Sequence, residues 1–69
     1  MISFEPFFYN LYLDDISTYK LIKEYHISSS NINRLKNNKP VSTATIEKLC
    51  TILNYDLYDI MELKSDEQN

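Results

Sequence analysis

The sequence of 69 residues contains no glycine, and this absence excludes a large group of functions. The loops that cradle phosphates in nucleotide-binding enzymes depend on glycine wherever the backbone approaches the ligand closely. A chain without glycine does not supply such a loop. We therefore do not expect a nucleotide-binding enzyme.

Cysteine and histidine are also scarce, with one residue of each. Cys50 is alone, so no internal disulfide can form, and a single thiol is typical of a reducing cytoplasm. A catalytic pair of Cys50 and His26 would need a cleft that a small helical bundle does not supply. The aspartates at 14–15 lack further metal ligands at suitable spacing, and the serines at 28–30 have no neighbouring base. The residues predict no enzymatic activity and no metal or other cofactor.

Long apolar runs are missing as well. No stretch approaches the ~20 residues of a membrane span, and the chain does not start with a basic segment followed by an apolar one. We therefore predict a soluble, cytoplasmic protein with no membrane partner. Its length suffices for one small domain, which buries only about 60% of the surface of its unfolded chain.

Positive charge is scarce overall but concentrated in one segment. The net charge is −3, yet residues 17–39 carry four lysines and the only arginine against a single acid, a local net charge of +4. Residues 1–16 have a net charge of −3, and residues 40–69 have a net charge of −4. A basic segment within an acidic chain indicates a surface for an anionic partner.

The same segment has the pattern of two short helices joined by a tight turn. Ser17 is a suitable N-cap, because its hydroxyl can accept a hydrogen bond from an amide of the first helical turn. Leu21, Ile22 and Tyr25 follow at the spacing of one buried helical stripe. A turn of three residues fits at 26–28.

Ser28 is the predicted cap of the second helix, which has two inward residues, Ile32 and Leu35. Ile27, in the turn, is placed to fill the angle between the two helices. The pattern is that of a helix-turn-helix.

The outward face of the second helix carries no carboxylate. Ser30, Asn33, Arg34 and Asn37 recur at i, i+3, i+4 and i+7, beside Ser29. Serine and asparagine fit close to a groove floor, and arginine can donate two hydrogen bonds to guanine O6 and N7. The alternative is a merely polar surface, but a solvated face without function usually mixes Glu with Lys. We predict a recognition helix at about residues 28–37.

These residues resemble the Cro/lambda-repressor-type (XRE-like) helix-turn-helix regulators in a minimal single-domain form. The resemblance covers residues 17–39 and, more loosely, 4–63. The segment KPVST at 39–43 is similar to the loop before the family's fourth helix, and TIEKLC at 45–50 is similar to that helix. NYDLYDIM at 54–61 is similar to the short fifth helix. The resemblance implies an all-α, compact five-helix DNA-binding domain over residues 1–64.

The resemblance also implies roles for individual residues. Thr18 would contact a phosphate, Ser29, Ser30 and Arg34 would read base edges, and residues 37–39 would lie against the DNA backbone. The whole predicted DNA-binding set is Thr18, Lys20, Ser28, Ser29, Ser30, Asn33, Arg34, Lys36, Asn37, Asn38 and Lys39. Ile22 and His26 depart from the family, which usually has a small residue and a glycine at these positions. His26 is compatible with a positive φ angle, which histidine adopts more often than most residues.

The first helix, predicted to open at Pro6, has two apolar stripes. One stripe contains Phe4, Phe7, Phe8 and Leu11, and the other contains Tyr9, Tyr12, Leu13 and Ile16. A helix that is apolar on two faces must bury both, and nine aromatic residues exceed what one small core needs. The second stripe therefore predicts a homodimer. The alternative is that the tyrosine hydroxyls face water.

The remaining elements complete the bundle. A fourth helix is predicted from its cap Ser42 to Leu53, with Ile46, Leu49, Cys50 and Leu53 facing inward. Asp56 is the predicted cap of a short helix whose inward residues are Leu57, Ile60 and Met61. Residues 61–63 could pair as a strand with residues 2–4, within or between subunits. Residues 65–69 are polar and acidic, which predicts a disordered tail.

Two functions remain open at this point. The favoured prediction is a transcriptional regulator that binds a double-stranded DNA operator as a homodimer. The alternative is a protein-binding adaptor of the same fold, such as an antirepressor or an inhibitor of a nucleic-acid enzyme. The sequence pI of about 4.9 and the many tyrosines favour this alternative.

Overall fold

A computed structural model describes residues 1–65 of the chain. The predicted tail at 65–69 falls outside the described residues, apart from Ser65. The elements in chain order are β1 (Ile2–Ser3), α1 (Glu5–Leu13), α2 (Thr18–Lys23), α3 (Ser29–Lys36), α4 (Thr43–Leu53), a 3₁₀ turn (Leu57–Asp59) and β2 (Glu62–Leu63). The predicted, mostly helical fold is observed.

The fifth helix is shorter than predicted. It is one 3₁₀ turn, in which the Ile60 amide donates to the Leu57 carbonyl over 3.0 Å. Asp56 and Asp59 bracket the turn as expected, because the Asp59 carboxylate accepts from the Asp56 amide at 2.9 Å. Only three residues separate this cap from Ile60, and β2 begins soon afterwards. The segment is therefore too short for an α-helix, and the architecture is four α-helices with one 3₁₀ turn.

Three serines cap α2, α3 and α4, as the sequence predicts. Ser17, Ser28 and Ser42 have extended backbones, and each hydroxyl accepts from the amide three residues later, at 3.1 to 3.2 Å. These bonds satisfy amides that have no partner within the helix. Helix α1 has Pro6 in its first turn, where a missing amide costs little.

Each α-helix is followed, within one to three residues, by a residue with positive φ. These residues are Asp15, His26, Asn38 and Asn54, with φ between 55° and 59°. Such residues let the chain turn back, so that a following amide reaches a carbonyl in the last helical turn. The Ile16 amide, for example, donates to the Leu11 carbonyl at 2.9 Å. Asparagine, aspartate and histidine tolerate this conformation better than most residues with a side chain. In this chain, which has no glycine, these residue types occupy the left-handed positions.

One hydrophobic core holds the helices together. Its buried residues are Phe4, Phe7, Leu11, Leu21, Ile27, Ile32, Leu35, Ile46, Leu49 and Ile60. This set contains both inward residues predicted for α3 and, of the stripe predicted for α2, Leu21, whereas Ile22 and Tyr25 pack against it as partly buried residues. It also contains Phe4, Phe7 and Leu11 of the first apolar stripe predicted for α1. Phe8, Cys50, Leu53 and Met61 pack against it as partly buried residues. Leu57 was predicted to face inward, but its side chain is 47% exposed, whereas Ile60, directly after the 3₁₀ turn, is fully buried as predicted.

The second stripe of α1 remains largely uncovered within one chain. Tyr9, Tyr12 and Leu13 are exposed to 62, 80 and 57%, whereas Ile16 packs against the core. No helix among residues 1–65 has the length and apolar character needed to cross a membrane.

The two strands pair antiparallel within one chain, so that Ile2 lies opposite Leu63 and Ser3 opposite Glu62. The ladder extends to Met1 and Lys64, which exchange two hydrogen bonds of 2.8 Å. The Lys64 ammonium also forms an exposed ion pair with Glu5 at 2.8 Å. Of the two pairings considered for these strands, the one within a subunit is present.

Candidate nucleic-acid interface

Helices α2 and α3 form a helix-turn-helix around one buried turn residue. Leu21 of α2 is fully buried, and Ile27 is buried between the two helices. The Ile27 amide donates to the Leu21 carbonyl at 3.0 Å, which fixes the turn to the end of α2. The angle between the helices is therefore filled by Ile27, as predicted.

His26 allows the chain to reverse before Ile27. Its φ angle is 59°, in the left-handed region, and its side chain is exposed. The His26 carbonyl accepts a hydrogen bond of 3.5 Å from the Lys48 ammonium on α4. Lys48 thus links α4 to the turn, although it was not among the predicted functional residues. A separation of 22 residues leaves no spacing signal from which this contact could be predicted.

The inner side of α3 is fixed to the core and to α4. Ile32 and Leu35 are buried. Asn31, which is half-buried, donates from its side-chain amide to the Thr45 hydroxyl at 3.4 Å. Thr45 lies 3.0 Å from the Ser42 hydroxyl that caps α4. Asn31 is therefore a positioning residue that was missing from the predicted set, and it ties α3 to the first turn of α4.

The outer side of α3 is exposed and free of carboxylates. We call the residues Ser29, Ser30, Asn33, Arg34 and Asn37 the α3 outer face. All five are exposed. The Asn37 side-chain amide donates to the Asn33 carbonyl at 2.9 Å and lies 3.3 Å from the Asn33 side-chain oxygen. These two asparagines therefore hold each other in place next to Arg34.

The end of α3 is closed by a turn that fixes the residues beyond it. The Lys39 amide donates to the Arg34 carbonyl at 2.8 Å, and the Asn38 amide donates to the Leu35 carbonyl at 3.2 Å. This pair of bonds, around a left-handed residue, is a Schellman motif. It places Lys39 beside the last turn of α3.

Asn38 has a structural contact as well as a place in the predicted DNA-binding set. Its side-chain oxygen accepts from the Phe4 amide at 2.8 Å, and the residue is half-buried. Ser28 is similarly occupied as the cap of α3. The other predicted residues on α3 keep their side chains towards solvent.

The cations near the α3 outer face are not neutralised by neighbouring acids. Arg34, Lys36 and Lys39 are exposed, and within residues 1–65 none of them forms an ion pair. Thr18 and Lys20 are half-buried in α2. The Lys23 ammonium lies 5.8 Å from the centroid of the Tyr19 ring, which is within the range of a cation–π contact. Unpaired cations around a polar helix face form a surface suited to phosphates.

Acidic residues gather elsewhere, around Tyr55. The Tyr55 hydroxyl donates to the Asp14 carboxylate at 2.7 Å. Burial, this hydrogen bond and the charges of Asp14 and Asp59 raise the pKa of Tyr55 above its usual value. The same end of α4 carries Cys50, whose thiol pKa is raised by burial and by Asp56 and Asp59. The thiol therefore stays protonated near neutral pH, which is unfavourable for a nucleophile.

No part of the described chain, residues 1–65, brings together three or more His, Cys, Asp or Glu residues that could hold a metal ion. Residues of α2 and α3 form the candidate nucleic-acid interface. Its geometry defines the class of helix-turn-helix proteins, with two short helices, a turn filled by a buried isoleucine, and a second helix that is solvent-accessible along one side.

The protein belongs to the family of Cro/C1-type HTH DNA-binding domains, whose sequence model matches residues 11–66. The match includes all of α2, α3 and α4. Searches of curated proteins and of solved structures found no match. Family membership supports a DNA-binding regulator, and the domains of this family are typically not enzymes.

Proposed function

We propose that the protein is a sequence-specific transcriptional regulator that binds operator DNA as a homodimer. Helix α3 enters the major groove, and the α3 outer face meets the base edges. The observation that carries this proposal is the exposure of Ser29, Ser30, Asn33 and Arg34 on a helix side without a carboxylate. A carboxylate there would be repelled by the phosphates on both sides of the groove.

Arg34 has the leading role in base recognition. Its guanidinium is exposed and has no ion pair within residues 1–65, so it is available for two hydrogen bonds to guanine. Serine and asparagine donate to or accept from other bases at shorter range. The mutual contact of Asn33 and Asn37 restricts both side chains before DNA arrives, which lowers the entropy lost on binding.

The remaining cations and the start of α2 hold the DNA backbone. Lys36 and Lys39 follow the recognition surface, and Thr18 and Lys20 lie in the first turn of α2. Backbone contacts of this kind orient the protein on the duplex and provide affinity without reading sequence. Asn37 and Asn38 lie in the same turn as Lys39, and Asn38 contributes mainly by holding that turn against Phe4.

A homodimer would place two copies of α3 in successive major grooves about 34 Å apart, over a roughly palindromic site. One helix of eight residues offers few base contacts, and five basic residues provide limited phosphate neutralisation. A homodimer doubles both the number of base contacts and the number of basic residues that neutralise phosphates. The exposed apolar residues on the surface are consistent with a second copy.

The proposal is tested with DNA from immediately upstream of the protein's own gene and with a scrambled duplex of equal length. We expect a mobility shift at low protein concentration on the upstream DNA, and weaker binding on the scrambled duplex. Binding should weaken steeply between 50 and 200 mM salt, because neutralising phosphates releases counterions. Equal affinity for both duplexes would contradict sequence-specific recognition.

A protein-binding adaptor is the second candidate, and the exposed tyrosines favour it. Tyr12 and Tyr58 are exposed to 80 and 82%, and tyrosine is enriched at protein interfaces. The net charge of −3 also opposes non-specific association with DNA. A tight protein complex together with no shift of either duplex would favour this second function.

A further inference from the structure

An open groove lies where the end of α1 meets the start of α2. Its volume is about 450 Å³, and it is lined by Leu11, Tyr12, Asp15, Ile16, Ser17 and Lys20. Sites for small molecules have volumes of roughly 300–1,000 Å³ and combine an apolar lining with a few polar groups. This groove, which we call the α1–α2 groove, has both properties.

Three side chains supply the apolar part of the α1–α2 groove. Leu11 is buried, and Ile16 packs against the core as a partly buried residue. The Ile16 amide donates to the Leu11 carbonyl at 2.9 Å, so the turn after α1 holds these two residues together. The Tyr12 ring, which is exposed, adds an aromatic surface beside them. The groove can therefore cover one apolar side chain of a ligand.

The α1–α2 groove also carries one cation and one anion that do not neutralise each other. Lys20 and Asp15 both line the groove, yet in the part of the chain that the structure describes they form no ion pair. Asp14, the neighbour of Asp15, is by contrast already engaged, because its carboxylate accepts from the Tyr55 hydroxyl. An ammonium and a carboxylate beside one apolar surface are complementary to a ligand that itself carries both charges.

A free α-amino acid with an apolar side chain has these three features on one carbon atom. Its carboxylate can pair with the Lys20 ammonium, its ammonium can pair with the Asp15 carboxylate, and its side chain can contact the apolar lining. Charge-assisted hydrogen bonds of this kind are roughly twice as strong as neutral ones. The Ser17 oxygen accepts from the Lys20 amide at 3.1 Å. Its O–H can still donate to the carboxylate of the ligand.

We propose that the α1–α2 groove binds a free apolar α-amino acid between Lys20 and Asp15, and that this ligand weakens the binding of DNA. The effect on DNA rests on the proposed function, in which Lys20 contacts a phosphate. An ammonium that is paired with the ligand carboxylate is withdrawn from that contact, so the amino acid and the operator oppose each other. The domain that reads DNA then also senses the amino acid.

Three related compounds test the recognition of both charges. L-Phenylalanine carries both, whereas phenethylamine lacks the carboxylate and phenylpropionate lacks the ammonium. We expect L-phenylalanine to shift the amide signals of residues 11–20 in a proton–nitrogen correlation spectrum. It should bind at least about tenfold more tightly than either analogue, because each analogue leaves one charge of the groove unpaired.

Three outcomes of this titration would overturn the proposal. One is equal affinity for the three compounds, and another is a set of shifts confined to residues outside the groove. The third is the absence of any shift up to the solubility limit of L-phenylalanine. In that last case, the groove would be left as a contact surface for the partner of the second candidate function.

Two substitutions test the two charged contacts. Asp15→Asn removes the anion, and asparagine tolerates the φ angle of 57° at this position, so the turn is kept. Lys20→Gln removes the cation. We expect each variant to bind L-phenylalanine at least about tenfold more weakly than the wild type. Unchanged affinity in either variant would overturn the proposal.

Matched controls for these variants come from the end of α2. Glu24→Gln and Lys23→Gln remove the same charges from exposed side chains that do not line the α1–α2 groove. Both should bind L-phenylalanine as the wild type does. Circular dichroism checks that all four variants are folded. A loss in the controls equal to that in the groove variants would show a general effect of charge and would overturn the proposal.

The effect on DNA distinguishes the failure of this inference from the failure of the proposed function. L-Phenylalanine should raise the dissociation constant of the upstream DNA at least about threefold in the wild type, because one phosphate contact per subunit is lost. The factor should be smaller in Asp15→Asn. Each protein is compared with and without the amino acid, so the charge removed by the substitution does not enter the comparison.

The possible results then separate as follows. A chain that binds the upstream DNA but not L-phenylalanine overturns this inference alone. A chain that binds L-phenylalanine in the groove but shifts no DNA keeps the ligand site and contradicts the regulator. A chain that binds both, with a DNA affinity that L-phenylalanine does not change, overturns the opposition between the two ligands.

Discussion

The backbone amide of Phe4 donates a hydrogen bond of 2.8 Å to the side-chain oxygen of Asn38. This bond connects the start of the chain to the turn after α3, across 34 residues. Asn38 also has a φ angle of 55°, and its amide closes the Schellman motif. One residue thus fixes both the end of the proposed recognition helix and the approach of the N-terminal strand.

Variants of Asn38 should separate these contributions to stability. Asn38→Gly keeps the left-handed turn but loses the acceptor, so we expect a loss of about 1 kcal/mol in the free energy of unfolding. Asn38→Ala also introduces backbone strain and should lose about 2 kcal/mol. Asn38→Asp retains an acceptor and should stay closest to the wild type. Urea unfolding measures the three values, and an Ala variant as stable as the Gly variant would contradict the strain.

Arg34→Ala should weaken binding to the true operator by about 1–3 kcal/mol and relax specificity at one base pair. The reason is the loss of a forked donor from the centre of the α3 outer face. Arg34→Lys keeps the charge but not the fork, so it should recover non-specific affinity without the specificity. Fluorescence anisotropy on the operator and on single base-pair variants measures both effects. Equal losses on operator and scrambled DNA would show that Arg34 contacts only phosphate.

Lys36→Ala should reduce the dependence of DNA affinity on salt. The side chain is exposed and unpaired within residues 1–65, so a phosphate contact would release about one counterion per subunit. The slope of log affinity against log salt should fall by about that amount. Lys64→Ala removes the same charge outside residues 17–39 and is the matched control, because its exposed ion pair with Glu5 contributes little to stability. An unchanged slope for Lys36→Ala would remove this lysine from the set of DNA contacts.

Tyr55→Phe should destabilise the fold in a way that depends on pH. The variant loses the hydrogen bond to Asp14, for which we expect about 1 kcal/mol at neutral pH. The pKa of Tyr55 is raised in the folded protein by burial and by the acids Asp14 and Asp59, whereas the unfolded phenol titrates near a pKa of about 10. Because the pKa of Tyr55 is higher in the folded than in the unfolded state, the contribution of this residue to the free energy of unfolding is complete below about pH 10. It declines as the pH rises further.

The difference in unfolding free energy between wild type and Tyr55→Phe should therefore be constant from about pH 7 to 9 and narrow above about pH 10. Urea unfolding at several pH values measures it. Tyr58→Phe is the matched control, because Tyr58 is 82% exposed and its hydroxyl has no hydrogen-bond partner within residues 1–65. A difference that widens with rising pH would contradict the assignment.

Local patterns in the sequence were sufficient to predict most of the fold. The caps Ser17, Ser28 and Ser42 depend on contacts within three residues, and all three form. The buried stripe of α3 follows from helical spacing alone. The terminal strand pair joins residues distant in sequence, yet alternation at both ends indicated it. Each of these features has a signal within a few neighbouring residues, namely a cap serine, helical spacing or strand alternation.

Contacts between distant residues that leave no pattern in the sequence could not be predicted. Nothing in the spacing of Asn38 and Phe4 indicates their hydrogen bond, so Asn38 was assigned to DNA alone. Leu57 is likewise exposed, in a segment that was predicted to be a short helix and that forms one 3₁₀ turn. At the interface, the exposure of the α3 outer face agrees with its pattern. The actual DNA contacts of its residues remain predictions.

The clustering of Asp14, Asp56 and Asp59 near Tyr55 and Cys50 has a consequence for encounters in solution. With four of the six lysines and the only arginine in residues 17–39, the molecule carries an electric dipole moment in addition to its net negative charge. A nearby polyanion exerts a torque on such a molecule and turns its cationic side forward. The torque weakens once the separation exceeds the Debye length, about 10 Å in 0.1 M salt. For the proposed regulator, this torque would favour an encounter in which the α3 outer face meets the DNA first.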